Sequence, residues 1–85
     1  MSKRKTIDVS HTGDGADVRV PVENGDPARY AAEVVARRMY GRRGYCRVCR
    51  LESWAADGSS QTWEAFIGHA ARGGGTDGHN IRLYV

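Results

Sequence analysis

Alternation of apolar and polar residues along the chain predicts five β-strands, because successive side chains of a strand point to opposite faces of a sheet. The predicted strands are residues 5–11, 17–23, 45–54, 62–69 and 80–85. Pro21 has no N–H to donate to a neighbouring strand, so the second strand is expected at an edge of the sheet. The apolar phase of the third strand changes between Val48 and Leu51, which indicates a bulge or a strand buried on both sides.

Helical spacing replaces the alternation between the second and third strands. Asp26 is suited to cap a helix, Pro27 follows at the first helical position, and Gly41 is suited to end it. One apolar stripe recurs at intervals of three and four residues and consists of Ala28, Ala31, Ala32, Val35 and Met39. Because most of these side chains are small, the helix is expected to lie close to a sheet.

These elements predict an α+β fold in which a single helix packs on a mostly antiparallel sheet, in the order β-β-α-β-β-β. One helix cannot cover both faces of a five-stranded sheet, so the second face is expected to be solvated, bound to a partner or paired with another copy. Residues 6–85 are predicted to form one domain, preceded by a flexible basic N-terminus at residues 1–5. The glycine-rich run 72–79 is predicted to be a flexible loop. It does not resemble a phosphate-binding loop, because it has no lysine to reach a phosphate and is followed by a predicted strand where that motif needs a helix.

Composition supports a folded protein, because apolar residues make up 40% and charged residues 27% of the 85 positions. No window approaches the roughly 18 apolar residues of a membrane span. The basic start is followed by no apolar segment of a signal peptide, so the chain is expected to be soluble, cytoplasmic and without membrane contact. Cysteines in that compartment are by default reduced.

Cys46 and Cys49 have the spacing of half a zinc site or of a redox pair. Residues three apart on a regular strand point to opposite faces, so the two thiols are expected to be separate structural groups without metal or disulfide. His69 and His79, the remaining candidate ligands, stand on either side of the glycine-rich run. No metal and no cofactor is therefore predicted.

Catalytic patterns are weak. The three histidines have no nearby nucleophile in a recognisable turn, and no two carboxylates form a general acid–base pair. The chain is therefore expected not to be an enzyme.

Charge is distributed unevenly along the chain, although the net charge is only +3. Residues 29–50 hold seven arginines against Glu33, whereas residues 6–28 hold five acids against Arg19. Arginine matches phosphates and carboxylates bidentately, and interleaved tyrosines add stacking area. The predicted partner-binding residues are Arg37, Arg38, Tyr40, Arg42, Arg43, Tyr45, Arg47 and Arg50. The alternative is a solvated arginine face that partly serves the helix C-terminus.

Over residues 6–85 the order of a short hairpin, one helix and a strand meander resembles that of small anti-CRISPR inhibitors carried by phages and mobile elements. The resemblance lies in the order of elements and rests on no shared motif, so no site residue is carried over from it. It implies a protein that binds a type I surveillance complex in the host cytoplasm and blocks DNA from entering. The arginine-rich segment differs from the acidic DNA mimics of that group.

Three functions follow from these observations. The first is a non-enzymatic inhibitor that docks on a host protein or ribonucleoprotein complex through the arginines. The second is a small nucleic-acid-binding or regulatory module that uses the same arginines on the phosphate backbone. The third is a homodimer that buries the uncovered face of the sheet.

Overall fold

The computed structural model describes residues 5–85, so the predicted N-terminal segment, apart from Lys5, lies outside the described residues. The fold is α+β in the predicted order, with one helix packed on a five-stranded antiparallel sheet. Its elements are β1 (Thr6–His11), β2 (Val18–Pro21), α1 (Pro27–Tyr40), β3 (Tyr45–Trp54), β4 (Gln61–Ala70) and β5 (Thr76–Tyr84). Within residues 5–85, no helix is both long enough and apolar enough to cross a membrane.

The strands lie in the order β2-β1-β5-β4-β3, which places the last strand of the chain at the centre. β1 joins β5 through the pairs Ser10 with Tyr84 and His11 with Leu83. β2 is an edge strand, as Pro21 predicts, and β3 forms the opposite edge.

The helix begins and ends as its sequence predicts. The Asp26 side chain accepts a hydrogen bond from the Arg29 backbone N–H at 3.3 Å, and Gly41 closes the helix with a φ of 79°. Four alanines of the helix are fully buried, which lets it lie directly on the sheet. The core cluster contains Val9, Val18, Val20, Ala31, Ala32, Val35, Ala36, Cys46, Ala65, Ile67, Ile81 and Leu83.

Met39 was expected in the buried stripe, but it is 41% exposed. Ala36 is buried instead, because Gly44 packs so closely that a β-carbon there would lie 2.2 Å from the Ala36 carbonyl oxygen. In the last turn Tyr40 provides the contact with the core.

Two bulges interrupt the pairing of β3 with β4, one between Cys46 and Val48 and one between Leu51 and Ser53. The first bulge leaves Arg47 without a partner residue, so that Cys46 pairs with Ile67 and Cys49 with Ala65. Ile67 and Ala65 are two residues apart on β4 and face the helix together. The expectation that the cysteines lie on opposite faces was therefore wrong, because the extra residue restores them to one face.

The loop between β4 and β5 is shorter than the glycine-rich run 72–79 predicted. β5 begins at Thr76, and its pairing with β4 extends to Ala70, where a strand had been expected only from residue 80. A tight turn remains, in which Gly73, Gly74 and Gly75 all have positive φ values. The pairing of Gly68 with Gly78 prolongs the ladder, because the absence of both side chains lets the backbones approach closely.

Within residues 5–85, no element covers the face of the sheet away from the helix, as the single helix predicts. Directly paired residues share a face, so Val48 and Phe66 lie together there, as do Thr62 and Tyr84. Phe66 is half-buried, whereas Val48 and Tyr84 are exposed.

Candidate binding surface at the C-terminal end of the helix

The turn that joins α1 to β3 presents two arginines at its tip. The Gly41 N–H donates to the Arg37 carbonyl at 3.0 Å, and the Gly44 N–H donates to the Gly41 carbonyl at 2.9 Å. Gly44 is buried against the helix, so the chain turns back on itself at once. Arg42 and Arg43, between the two glycines, are consequently exposed.

Arg37 and Arg47 flank this turn on either side in the chain. Arg37 lies in the last turn of the helix, 4.0 Å from the Glu33 carboxylate, with 58% of its side chain exposed. Arg47 is exposed at the first bulge of β3. Arg37, Arg42, Arg43 and Arg47 are all exposed and lie within eleven residues of the chain, and we term them the basic surface.

Three of these four arginines have no acidic partner in the part of the chain that the structure describes. Among residues 5–85, no carboxylate lies within ion-pair distance of Arg42, Arg43 or Arg47. Their charges are therefore not neutralised by the described part of the fold.

The structure separates two predicted arginines from the basic surface. Arg38 reaches towards the loop between β1 and β2, where it donates to the Ala16 carbonyl at 2.8 Å and lies 3.6 Å from Asp14. Arg50 lies on the uncovered face of the sheet and donates to Glu64 at 3.1 Å. Proximity along the chain alone had placed all six arginines of residues 37–50 together, but the helix rotation and the strand pleat direct these two elsewhere.

The two predicted tyrosines connect elements of the fold. The Tyr45 hydroxyl forms a hydrogen bond with the Thr76 hydroxyl at the start of β5. The Tyr40 hydroxyl forms a 2.5 Å hydrogen bond with Nδ1 of His79, and its ring is tilted against the imidazoles of His69 and His79. Their hydroxyls are thus already occupied by protein partners.

A cavity of about 330 Å³ opens beside the basic surface and is lined by Tyr40, Arg43, His69 and Ala70. An arginine and an imidazole at one opening supply hydrogen-bond donors suited to a small anion or to a carboxylate of a partner. The sequence reasoning did not assign His69 to this surface. The signal was present in the alternation of β4, which continues from Ile67 to His69.

Two of the three histidines are engaged with other groups of the fold. His79 is engaged with Tyr40, and His11 contacts the Ala16 carbonyl and Asp14 within the loop after β1. Within residues 5–85, no group of three or more His, Cys, Asp or Glu side chains is arranged to hold a metal ion.

The uncovered face of the sheet has a different electrostatic character. Arg50 pairs with Glu64, and Arg82 donates to both carboxylate oxygens of Glu52 at 3.2 and 3.3 Å. The hydrogen bond with Glu52 raises the pKa of Arg82 above its ordinary value. Positive and negative groups therefore alternate on this face, whereas the basic surface has one sign.

No family model, no curated protein and no solved structure matched this chain.

Proposed function

We propose that this chain is a non-enzymatic binding protein that docks through the basic surface onto a nucleic-acid-handling protein or ribonucleoprotein complex and inhibits it. The observation that supports this proposal is the contrast between two sets of arginines. Arg50 and Arg82 have carboxylate partners, whereas Arg42, Arg43 and Arg47 are exposed without one among residues 5–85.

Helix stability accounts for only part of this charge. A cation near a helix C-terminus contributes about 0.3–1 kcal/mol, and the effect falls off within the last turn. Arg37 benefits from it, but Arg47 lies inside β3. Like charges held together repel, so a cluster of this kind is better explained by a partner that carries phosphates or carboxylates.

A protein-containing complex is favoured over free nucleic acid by the surroundings of the arginines. Binding of single strands commonly relies on exposed aromatic rings on which bases stack. Tyr40 and Tyr45 are both partly buried and engaged with β5. With three or four charges and no open aromatic platform, additional contacts from a protein surface are needed for tight binding.

The element order, which resembles that of small anti-CRISPR inhibitors, supports a type I surveillance complex as the first partner to test. The alternative is a module that binds the phosphate backbone directly. The specific observation in its favour is the cavity beside Arg43, whose donors suit a phosphate group.

The test replaces Arg42 and Arg43 together by alanine and measures binding to a purified type I complex at physiological salt. We expect affinity to fall at least about 30-fold, because a single arginine that is a hot spot of an interface contributes about 2 kcal/mol or more and the effects of neighbouring hot spots do not simply add. The matched control is R50A/R82A, which removes the same charge from the uncovered face. That control is expected to retain near-normal affinity.

Free duplex DNA, measured in parallel over a range of salt, distinguishes the alternative. We expect weak binding at physiological salt. The proposal would be contradicted by tight binding to random duplex that is lost in R42A/R43A and whose log binding constant falls with log salt concentration by about 0.9 per phosphate contacted. That result would favour the backbone-binding module. Equal losses in R42A/R43A and R50A/R82A would show that net charge alone matters, which also contradicts a specific basic surface.

A further inference from the structure

The first bulge of β3 brings two thiols together beneath the helix. With Arg47 set aside as the extra residue, Cys46 and Cys49 occupy positions equivalent to two residues apart on a regular strand. Their side chains then point to one face, and each thiol shifts the pKa of the other. The Cys46 Sγ also lies 3.4 Å from the Val48 carbonyl oxygen, which holds it on the inner side of the bulge.

The two sulfurs differ in access. Cys46 is 2% exposed and belongs to the core, whereas Cys49 is partly exposed on β3, an edge strand of the sheet that residues 5–85 form. A small reagent can therefore reach Cys49 first, and Cys46 stands behind it as the second thiol. This arrangement of an accessible and a resolving sulfur is common in pairs that undergo reversible oxidation.

The groups around Cys46 act on the pKa of its thiol in opposite directions, since Cys49 and Arg29 lower it whereas burial and Glu33 raise it. Arg29, from the first turn of the helix, donates to the Cys46 carbonyl oxygen at 3.3 Å. Cys46 in turn raises the pKa of Cys49, so the pair loses its first proton more readily than its second.

We propose that Cys46 and Cys49 form a reversible intramolecular thiol–disulfide pair, with low-molecular-weight disulfides as the oxidant. The Cys46 thiolate takes the proton of Cys49, and the accessible Cys49 sulfur attacks one sulfur of the oxidant. A mixed disulfide forms on Cys49 and one thiolate leaves. Cys46 then attacks the Cys49 sulfur and expels the second thiolate. The two leaving thiolates take up the two protons that the cysteines lost, so two thiols and one disulfide give one protein disulfide and two small thiols.

Backbone geometry sets the character of this disulfide. Positions two apart on a strand have α-carbons separated by about 6.5 Å. Disulfides span α-carbon separations up to about 6.8 Å but bring the β-carbons to about 3.5–4.5 Å, so the backbone at the bulge has to close up when the bond forms. A bond of this kind is more easily reduced than the disulfides of secreted proteins. The fraction of oxidised pair is therefore expected to change with the ratio of reduced to oxidised glutathione.

The test equilibrates the full chain with mixtures of reduced and oxidised glutathione, followed by acid quenching, alkylation and intact-mass measurement. We expect a species that has lost two hydrogens and accepts no alkylating reagent. Its fraction should follow a two-electron curve that is independent of protein concentration, and peptide mapping should place the bond between Cys46 and Cys49. This measurement uses the unaltered protein and does not depend on whether a variant folds.

Two variants distinguish the roles of the sulfurs. C46A, which lacks the resolving thiol, should accumulate a stable mixed disulfide with glutathione on Cys49. C49A, which retains only the buried thiol, should be modified at least about 10-fold more slowly, since thiol exchange depends on access. Unaltered protein that stays fully reduced in excess oxidised glutathione, or that yields only mixed or intermolecular disulfides, would overturn the proposal.

Discussion

Gly68 and Gly78 face each other across β4 and β5, and neither position has room for a β-carbon. A β-carbon at Gly78 would lie 1.8 Å from the Ile67 carbonyl oxygen, and one at Gly68 would lie 2.0 Å from the Asp77 carbonyl oxygen. Both obstacles are backbone atoms, which cannot move without opening the ladder. At the scale of residues, this pair keeps β4 and β5 together near their turn.

We therefore expect Gly78→Ala to lower the free energy of unfolding by about 1–3 kcal/mol or more, as overpacking does in a tightly packed region. Gly25→Ala is the matched control, because a β-carbon there meets no atom within 4 Å and its φ is not positive. That control should change stability by less than about 0.5 kcal/mol. Urea denaturation of both variants measures the difference, and equal stabilities would contradict the close approach of the strands.

At the scale of elements, the helix depends on its cap and on its small side chains. Ala28, Ala31, Ala32 and Ala36 are fully buried and bring the helix down onto the sheet. Alanines bury little area each, so local signals at the ends of the helix contribute a larger share of its stability than in a helix rich in leucine. Asp26 is the main such signal at the N-terminus.

Replacement of Asp26 by alanine is expected to destabilise the protein by about 0.5–2 kcal/mol, because the Arg29 N–H loses its side-chain acceptor. Asp26→Asn retains an acceptor oxygen and should cost much less. Thermal or urea unfolding followed by circular dichroism compares the two variants. Equal unfolding midpoints for D26A and D26N would contradict the prediction, because they would show that the side-chain cap contributes no stability.

At the scale of the whole molecule, the sheet has one face under the helix, one uncovered face and two edges. Pro21 lies on the β2 edge and two bulges interrupt β3, which are features that limit pairing of an edge strand with another chain. The uncovered face carries balanced ion pairs beside Phe66 and Tyr84. The two tryptophans lie on the helix side of the sheet, because Trp54 pairs with Gln61, which shares a face of β4 with Trp63. Their exposure can test whether a second copy covers that side near the ends of β3 and β4.

Trp54 is 66% exposed, whereas Trp63 is half-buried and donates its Nε1–H to the Gln61 side chain at 3.0 Å. In an isolated chain, the W63F variant, which retains Trp54, should emit at longer wavelength and be quenched more strongly by acrylamide than W54F. The readout is the quenching constant of each variant over a range of protein concentration. Protection of Trp54 that grows with concentration would instead indicate a dimer that covers this end of the sheet.

Local pattern was sufficient for the element order, the two ends of the helix, the edge position of β2 and the uncovered face. These features depend on residue spacing and on the backbone chemistry of Asp26, Gly41 and Pro21, which act within a few residues. The arginine-rich segment was visible in the same way, and Arg37, Arg42, Arg43 and Arg47 are exposed. Their role in binding a partner stays a prediction.

Contacts between segments distant in the chain determined the features that local pattern did not predict. A bulge is defined by the partner strand, so the position of Cys46 and Cys49 on one face followed from the register with Ile67 and Ala65. Pairing with β4 likewise turned the expected loop at residues 76–79 into strand, because the ladder supplies hydrogen bonds that glycine-rich sequence does not by itself favour. The direction of Arg38 and Arg50 also depended on carboxylates from distant segments, which no local pattern contains.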